Sequence, residues 1–452
     1  MQLNIVILAA GQGKRMCSKL PKVLHPIAGK PWLLHLVNTA QQLKPNKMFI
    51  IYGHGGAQVR STLTNLPVEW VEQKQQLGTG HAVLQAVPQI DNNARVLILV
   101  GDIPLISQQT LQTFVQQVPE NAVGIVTANM ADPTGLGRIL RDKNNQVIGI
   151  VEDKDATAEQ KQIHEISTGI IIAPAEQLKR WLPAIKNNNK QGEYYLPDIL
   201  PMAISEDIKI HTVSTTMNEE GQGINDRVQL AQLERFHQKQ QAKQLMLQGV
   251  TLLDPDRFDL RGNAQIAADV TIDVNVILEG EIKIGANSYV GPNCYLRNVK
   301  IGENVTIKAN TVIEDAVIAN DCVIGPFARI RPGTELKDHV HIGNFVEIKK
   351  STIDSNSKIN HLSYVGDATI GKSVNIGAGT ITCNYDGINK HQTIIEDNVF
   401  VGSNSSLIAP ITVGENATIG AGSTIKRQAP AGALTVSRSE QRSIPNWPCP
   451  KK

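Results

Sequence analysis

The chain has 452 residues, with 44 Lys and Arg against 42 Asp and Glu and a net charge of +2. That length is too great for one core, so two or three domains are expected. With no basic block before Lys451-Lys452, the balance argues against a nucleic-acid partner or an anionic membrane surface.

Five widely spread cysteines (Cys17, Cys294, Cys322, Cys383, Cys449) show no metal-ligand spacing and read as reduced thiols. Residues 4–10 form a short apolar run stopped by Gly11, which reads as a strand and not as a secretion signal. No stretch approaches the roughly 18 apolar residues of a membrane span, so a cytoplasmic location is expected.

Up to residue 226, apolar runs alternate with helical patterns. Residues 4–10, 48–52, 95–100, 123–128, 147–151 and 169–172 read as buried strands. Leu33, Leu36, Val37, Ala40 and Leu43 mark one helix face, and Leu111, Phe114, Val115 and Val118 another. This alternation predicts an α/β, Rossmann-like domain with a mostly parallel sheet, whose ligands bind beyond the carboxyl ends of the strands.

The first such end reads Leu8-Ala9-Ala10-Gly11-Gln12-Gly13-Lys14-Arg15-Met16. Its glycines let the backbone approach a phosphate, and Lys14 and Arg15 supply charge. It lacks the Gly-Lys-Ser/Thr of a Walker loop and the third Gly of a dinucleotide fingerprint, and an ordinary turn looks much the same. Lys22 follows closely enough to share the loop's ligand. A later strand ends at Gly101-Asp102, where a carboxylate is placed to hold Mg²⁺ or to cap the next helix. Gln73 and Leu77-Gly78-Thr79-Gly80 offer amide, hydroxyl and backbone groups for a base edge, or a helix-capping turn.

Residues 226–250 read as a polar linker helix with an apolar stripe of Leu230, Leu233, Phe236, Leu245 and Leu247. Beyond it an aliphatic residue returns every six positions: Ile266, Ile272, Leu278, Ile284, Val290, Leu296. After single-residue slips the run continues through Ile330, Ile348 and Ile376 and ends at Ile425. Neither a helix nor a hairpin has that period; a parallel β-helix does, with aliphatic side chains inward and Gly or another small residue turning each corner. The expected division is therefore 1–226, a linker helix over 227–250, and a repeat domain over 251–452.

Such a solenoid is often only a scaffold. Three features point further. Arg331 and Lys349 follow inward-pointing Ile330 and Ile348 one coil apart, and stacked like charges favour a phosphate between them. His361 lies in the next coil and suits a general base. The repeat breaks at Thr382-Cys383-Asn384-Tyr385-Asp386-Gly387, as it does for a ligand or a neighbouring chain.

Leu-Ala-Ala-Gly-x-Gly-x-Arg-Met with Pro-Lys-Val-Leu resembles the signature of sugar-1-phosphate nucleotidyltransferases. With Gln-Leu-Gly-Thr-Gly-His-Ala, Gly-Asp-Ile-Pro-Leu, Gly-Arg-Ile and Gly-Glu-Tyr-Tyr, the resemblance narrows to one bacterial family. Its members join an N-acetylglucosamine-1-phosphate uridyltransferase to a glucosamine-1-phosphate N-acetyltransferase, and the likeness spans essentially the whole chain. It implies a left-handed β-helix, a homotrimer, and the substrates UTP, N-acetylglucosamine 1-phosphate, glucosamine 1-phosphate and acetyl-CoA. The product would be UDP-N-acetylglucosamine, a precursor of peptidoglycan and lipopolysaccharide.

Position by position, the resemblance implies uridine-nucleotide contacts from Leu8, Ala9, Ala10, Gly11, Lys22, Gln73, Gly78, Thr79 and Gly101. It puts Arg15 and Lys22 on phosphate oxygens and Mg²⁺ on Asp102 and Asn225. Gly137, Glu152, Ser167 and Asn225 would contact the nucleotide-sugar, Ser167 standing where the family usually has Asn. In the acetyltransferase half, Arg331, Lys349, Tyr364 and Asn375 would bind the sugar phosphate and His361 would be the base. Ala378, Asn384, Tyr385, Ser403, Ala421 and Arg438 would contact acetyl-CoA. The tail cations Arg427, Arg438 and Arg442 would meet coenzyme phosphates. Two other readings are a single-activity nucleotidyltransferase with an inert spine, and a nucleotide-sugar binding protein without turnover.

Overall fold

The computed structural model describes residues 2–448, so Cys449 and Lys451-Lys452 lie outside the described residues. The chain divides into two compact units, Met1–His237 and Gln238–Lys452. The dividing point falls inside one helix, Arg227–Leu247, within the segment expected as a linker. That helix is not a solvated arm. Leu233 belongs to the core of the first unit, and Ala242 and Leu245 to that of the second. Leu247, expected in the apolar stripe, is instead 72 % exposed.

In the first unit, Gln2–Ala9 is an interior strand of the sheet. It pairs in parallel with Lys47–Tyr52 on one side and Ala94–Val100 on the other. Ile5 and Ile7 enter a core on one face, with Leu33, Leu36 and Leu97, while Val6 enters the other, with Phe49 and Ile98. Burial on both faces explains the uninterrupted apolar runs of these strands. The sheet is not parallel throughout. Glu165–Pro174 runs antiparallel between Ala94–Val100 and Val123–Asn129, and the hairpin Arg138–Arg141/Val147–Val151 is attached to it. A register irregularity between Ser167 and Ile171 interrupts that strand, where Gly169 takes a φ of +77°.

In the second unit the strands stack in parallel, coil upon coil. Ile330 lies opposite Ile348, and Ile342 opposite Ile359. Every aliphatic residue named above in the six-fold series is buried, from Ile266 to Ile425. The corners are not turned as the sequence suggests. The glycines after the aliphatic positions mostly keep ordinary backbone angles, and the left-handed turns fall mostly on Asn and Asp, such as Asn275, Asn287, Asn293, Asn304 and Asp321. Asn and Asp tolerate that conformation through local hydrogen bonds. The glycines serve a different purpose, because a side chain there would strike the next coil. A Cβ on Gly343 would come within 1.9 Å of the Asn360 carbonyl oxygen, and one on Gly285 within 2.5 Å of the Gly302 backbone.

Gly343→Ala is therefore expected to destabilise the repeat unit by about 1–3 kcal/mol through overpacking. Gly149→Ala, whose Cβ would meet nothing within 4 Å, should leave thermal unfolding nearly unchanged. Differential scanning calorimetry of the two variants checks the contrast.

Candidate active sites

Beyond the carboxyl ends of the central strands lies a cavity of about 510 Å³. Leu8, Ala9, Ala10, Gly11, Lys22, Gln73, Gly78, Thr79 and Asp102 line it. A second cavity of about 200 Å³ shares Leu8, Thr79 and Asp102 with the first and adds Gly137, Glu152, Ser167 and Asn225. The fold thus gathers residues more than 200 positions apart, as a parallel sheet does when each strand delivers its end to one edge. Two members of the predicted set stand outside the walls. Arg15 sits on the exposed turn Lys14–Met16, whose Lys14 lines the larger cavity instead. Gly101 backs the site: its carbonyl accepts from the Trp32 indole at 3.0 Å, and a Cβ would come within 2.6 Å of the Leu8 oxygen.

Where the cavities meet, the Lys22 ammonium donates to Asp102 Oδ2 at 2.6 Å and to Asn225 Oδ1 at 3.1 Å. Two oxygens therefore converge on one point already suited to a cation. Both are hard donors, which fits Mg²⁺, an ion bound through one or two protein oxygens and completed by phosphates and water. Among the described residues no group of three or more His, Cys, Asp or Glu side chains forms a closed metal cage.

Gln73 is buried, and its amide nitrogen donates to the Gly78 carbonyl at 3.1 Å and meets His81 Nδ1 at 3.0 Å. The bonds fix the side chain so that its oxygen is presented in one orientation. Gly78 has a φ of +119°, and a Cβ would strike the Tyr194 backbone at 2.6 Å, so the loop passes where only Gly fits. Thr79 Oγ1 accepts from Leu196 N at 2.9 Å, pinning the segment that carries Glu193 into the wall. Burial, and then the nearby Asp155, Asp198, Asp153 and Glu193 carboxylates, raise the Glu152 pKa above its ordinary value. Ser167 lines the smaller cavity, and its hydroxyl accepts from Gly169 N at 3.1 Å. Gln76 and Glu193, in the wall of the larger cavity, were not singled out from sequence, although both fall within or beside quoted motifs.

In the second unit, Asn344 and His361 stand opposite each other on adjacent coils, and Glu347 opposite Tyr364. Arg331 and Lys349 are not the unneutralised stacked charges that the sequence suggests, because each cation has a carboxylate. Arg331 donates to Glu347 Oε1 at 2.7 Å, and Lys349 Nζ lies 3.7 Å from Asp367 Oδ2. Asp367 also accepts from the Asn384 amide, so it joins a predicted sugar-phosphate residue to a predicted coenzyme residue. Glu347 and Asp367 occupy ordinary repeat positions and carry no signal in sequence.

The break in the repeat is a small hairpin in which Tyr385 bridges Lys390. The Lys390 ammonium sits 3.9 Å from the Tyr385 ring centre, and His391 pairs with Asp386 at 2.7 Å. Ala378, Ser403 and Ala421 follow one another up the coils, through Asn404 N to Ala378 O at 2.7 Å and Gly422 N to Ser403 O at 2.8 Å. Arg438 packs beside Gly420 and Gly422, next to Ala421. Asn375 lies opposite Phe400 on the neighbouring coil. Arg427 and Arg442 are exposed.

These features define a nucleotidyltransferase joined to a hexapeptide-repeat acyltransferase. Residues 5–163 match the family model of the MobA-like NTP transferase domain, and 392–427 that of the hexapeptide repeat of succinyl-transferase. Residues 260–341 match the model of the GMPPB C-terminal domain. The chain is 55 % identical over 451 residues to the bifunctional protein GlmU of Marinobacter nauticus, covering 100 % of this chain and 99 % of that one. It is 55 % identical over 453 residues to that of Coxiella burnetii, covering 100 % of both. The chain belongs to the bifunctional GlmU family. It is a transferase with two activities, uridylyl transfer from UTP to N-acetylglucosamine 1-phosphate and acetyl transfer from acetyl-CoA to glucosamine 1-phosphate. The inert-spine and non-turnover readings fall with that assignment.

The raised pKa of Glu152 has a consequence for stability. A raised carboxyl pKa favours folding while the group is protonated, below its ordinary value of 4.5, and that contribution is lost as pH rises through the raised value. Glu152→Gln removes the ionisation. The variant's Tm should therefore exceed that of the wild type increasingly as pH goes from 4 to about 7. Thermal melts across that range test the sign.

Proposed function

We propose that the paired cavities of the first unit hold UTP and N-acetylglucosamine 1-phosphate side by side, and that the observation carrying this reading is their shared wall at Leu8, Thr79 and Asp102. Gln73 Oε1 accepts from the uracil edge, and Leu8, Ala9, Ala10, Gly11, Gly78 and Thr79 shape the nucleotide pocket. Gly137, Glu152, Ser167 and Asn225 face the sugar. A phosphate oxygen of the sugar phosphate attacks the α-phosphorus of UTP, the bond to the β-phosphate oxygen breaks, and pyrophosphate leaves.

Positioning and charge neutralisation suffice for this reaction, and no side-chain nucleophile is called for. Lys22 supplies one cation at the meeting point, and Arg15 on its exposed turn a second toward the departing phosphates. Asp102 and Asn225 hold Mg²⁺, which when bound neutralises charge on phosphate oxygens.

In the second unit, Arg331, Lys349, Tyr364 and Asn375 hold glucosamine 1-phosphate. His361 takes a proton from its amine as the nitrogen attacks the thioester carbonyl of acetyl-CoA and the coenzyme thiolate leaves. Ala378, Asn384, Tyr385, Ser403, Ala421 and Arg438 hold the coenzyme. The acetylated product is then the substrate of the first unit.

A homotrimer is part of the proposal. It is supported by an exposed apolar ridge, in which Phe327 and Phe345 stack at 5.3 Å and are 49 % and 56 % exposed. Leu362 extends the ridge at 62 % exposure. A cytoplasmic location accords with the absence, among the described residues, of any helix long and apolar enough to cross a membrane.

His361→Ala should lose about 10²–10⁴-fold in acetyl transfer and keep uridylyl transfer. Asp102→Ala should lose the Mg²⁺-dependent UTP reaction and keep acetyl transfer. Release of coenzyme thiol and of pyrophosphate are the two readouts, and joint loss in either variant overturns the two-site division. Light scattering of the purified chain should give three times the 49.2 kDa chain mass.

A further inference from the structure

We infer that Asn344 is the positioning residue of the acetyl-transfer site, fixing which nitrogen of His361 is free to accept the proton. The inference rests on His361 being the base. Asn344 Oδ1 lies 2.9 Å from His361 Nδ1. An amide oxygen only accepts hydrogen bonds, so in this arrangement Nδ1 carries the ring proton. The neutral imidazole then keeps its lone pair on Nε2, directed away from Asn344. The hydrogen bond at one ring nitrogen sets the tautomer, and the tautomer decides which nitrogen acts as base.

The β-helix holds this pair in register. Asn344 and His361 are direct cross-coil partners. The coils touch just before them, where a Cβ on Gly343 would strike the Asn360 oxygen. The chain turns just after them, at Phe345 and Leu362, with φ of 54° and 50°. The Leu362 N–H donates to the Asn344 carbonyl at 3.1 Å, and the Ser363 hydroxyl to the His361 carbonyl at 2.8 Å. Both backbones are thus tied at the corner from which the two side chains meet. The side-chain contact of Asn344 is with His361, and Asn344 belongs to neither the sugar-phosphate set nor the coenzyme set, so its contribution runs through the imidazole.

The chargeable groups on the flanking strands are His341 and Lys358, with Arg329, Arg331, Glu347, Lys349 and Tyr364 on the adjoining stack of strands. They are the same in every variant below, so a change in pH dependence reports on position 344.

The test combines kinetics with ¹⁵N-histidine NMR on the full chain. In the wild type, His361 should be protonated on Nδ1 with a lone-pair signal from Nε2. Asn344→Ala should mix the tautomers and lower kcat for acetyl transfer at least about tenfold, short of the roughly 10²–10⁴ that a general base supplies. KM for glucosamine 1-phosphate should stay within about twofold, and uridylyl transfer in the same sample reports that the chain has folded. Asn344→Asp keeps an acceptor and adds a negative charge. It should restore much of kcat and move the acid limb of the pH–rate profile upward by about one unit or more.

A wild-type His361 protonated on Nε2, or an Asn344→Ala enzyme with unchanged kcat, overturns the assignment. Should His361→Ala itself retain acetyl transfer, the base reading has failed, an outcome the kinetics of that variant separate from failure at Asn344.

Discussion

The second unit depends on one constraint: adjacent coils must approach closely enough for their backbones to hydrogen bond along the whole stack. The inward aliphatic residues exclude water, and the outer backbone groups pair with the coil above and below. Such stacking forbids side chains at Gly285, Gly343, Gly377 and Gly402, where a Cβ would enter the next coil's backbone. It also repeats a small set of outward positions with nearly fixed spacing. Residues 17 or 18 apart become neighbours, as Asn344 and His361 or Glu347 and Tyr364 do. A site built on such a frame needs no loop to bring its parts together, and the hairpin at 384–391 is an addition to a rigid wall.

The first unit solves the same problem by different means. Its central strands are buried on both faces, so their ends are rigid and sit at one edge of the sheet. Lys22, Asp102 and Asn225 come from a turn, a strand end and a distant loop, yet meet within about 3 Å. Glu152 is held in a less polar place than its neighbours and among several carboxylates, which is why its pKa rises.

In both units some cations of the candidate sites are paired. Lys22 leans on Asp102, Arg331 on Glu347, and Lys349 on Asp367. A pair that is partly exposed adds little to stability, but it restricts where a long cationic side chain points. A phosphate that arrives then meets donors already oriented, with less side-chain entropy left to lose.

Much of this was legible in the order of residues alone. A period of six determines the architecture of the second half, because only a coil of short strands returns an inward position at that interval. The apolar runs before residue 226 determine strands buried on both faces, and the motifs at Leu8 to Met16 and Gly101-Asp102 mark the ligand edge. What turns each corner is not marked by the glycines. Gly draws attention in a sequence, but Asn and Asp carry most of the positive φ, while the glycines after the aliphatic positions answer to a contact with the next coil. The antiparallel strand Glu165–Pro174 and the sharing of the helix Arg227–Leu247 between two cores were also hidden. Both depend on which distant surfaces are covered. Glu347, Asp367 and Asn344 look like ordinary repeat positions until the coils are stacked. Periodicity specifies the type of fold in each half, since it is a local record of which side faces the core. Which charge answers which, and which nitrogen of His361 is free, emerges only in the folded chain, because those depend on groups that are far apart in the chain and touch only when it is folded.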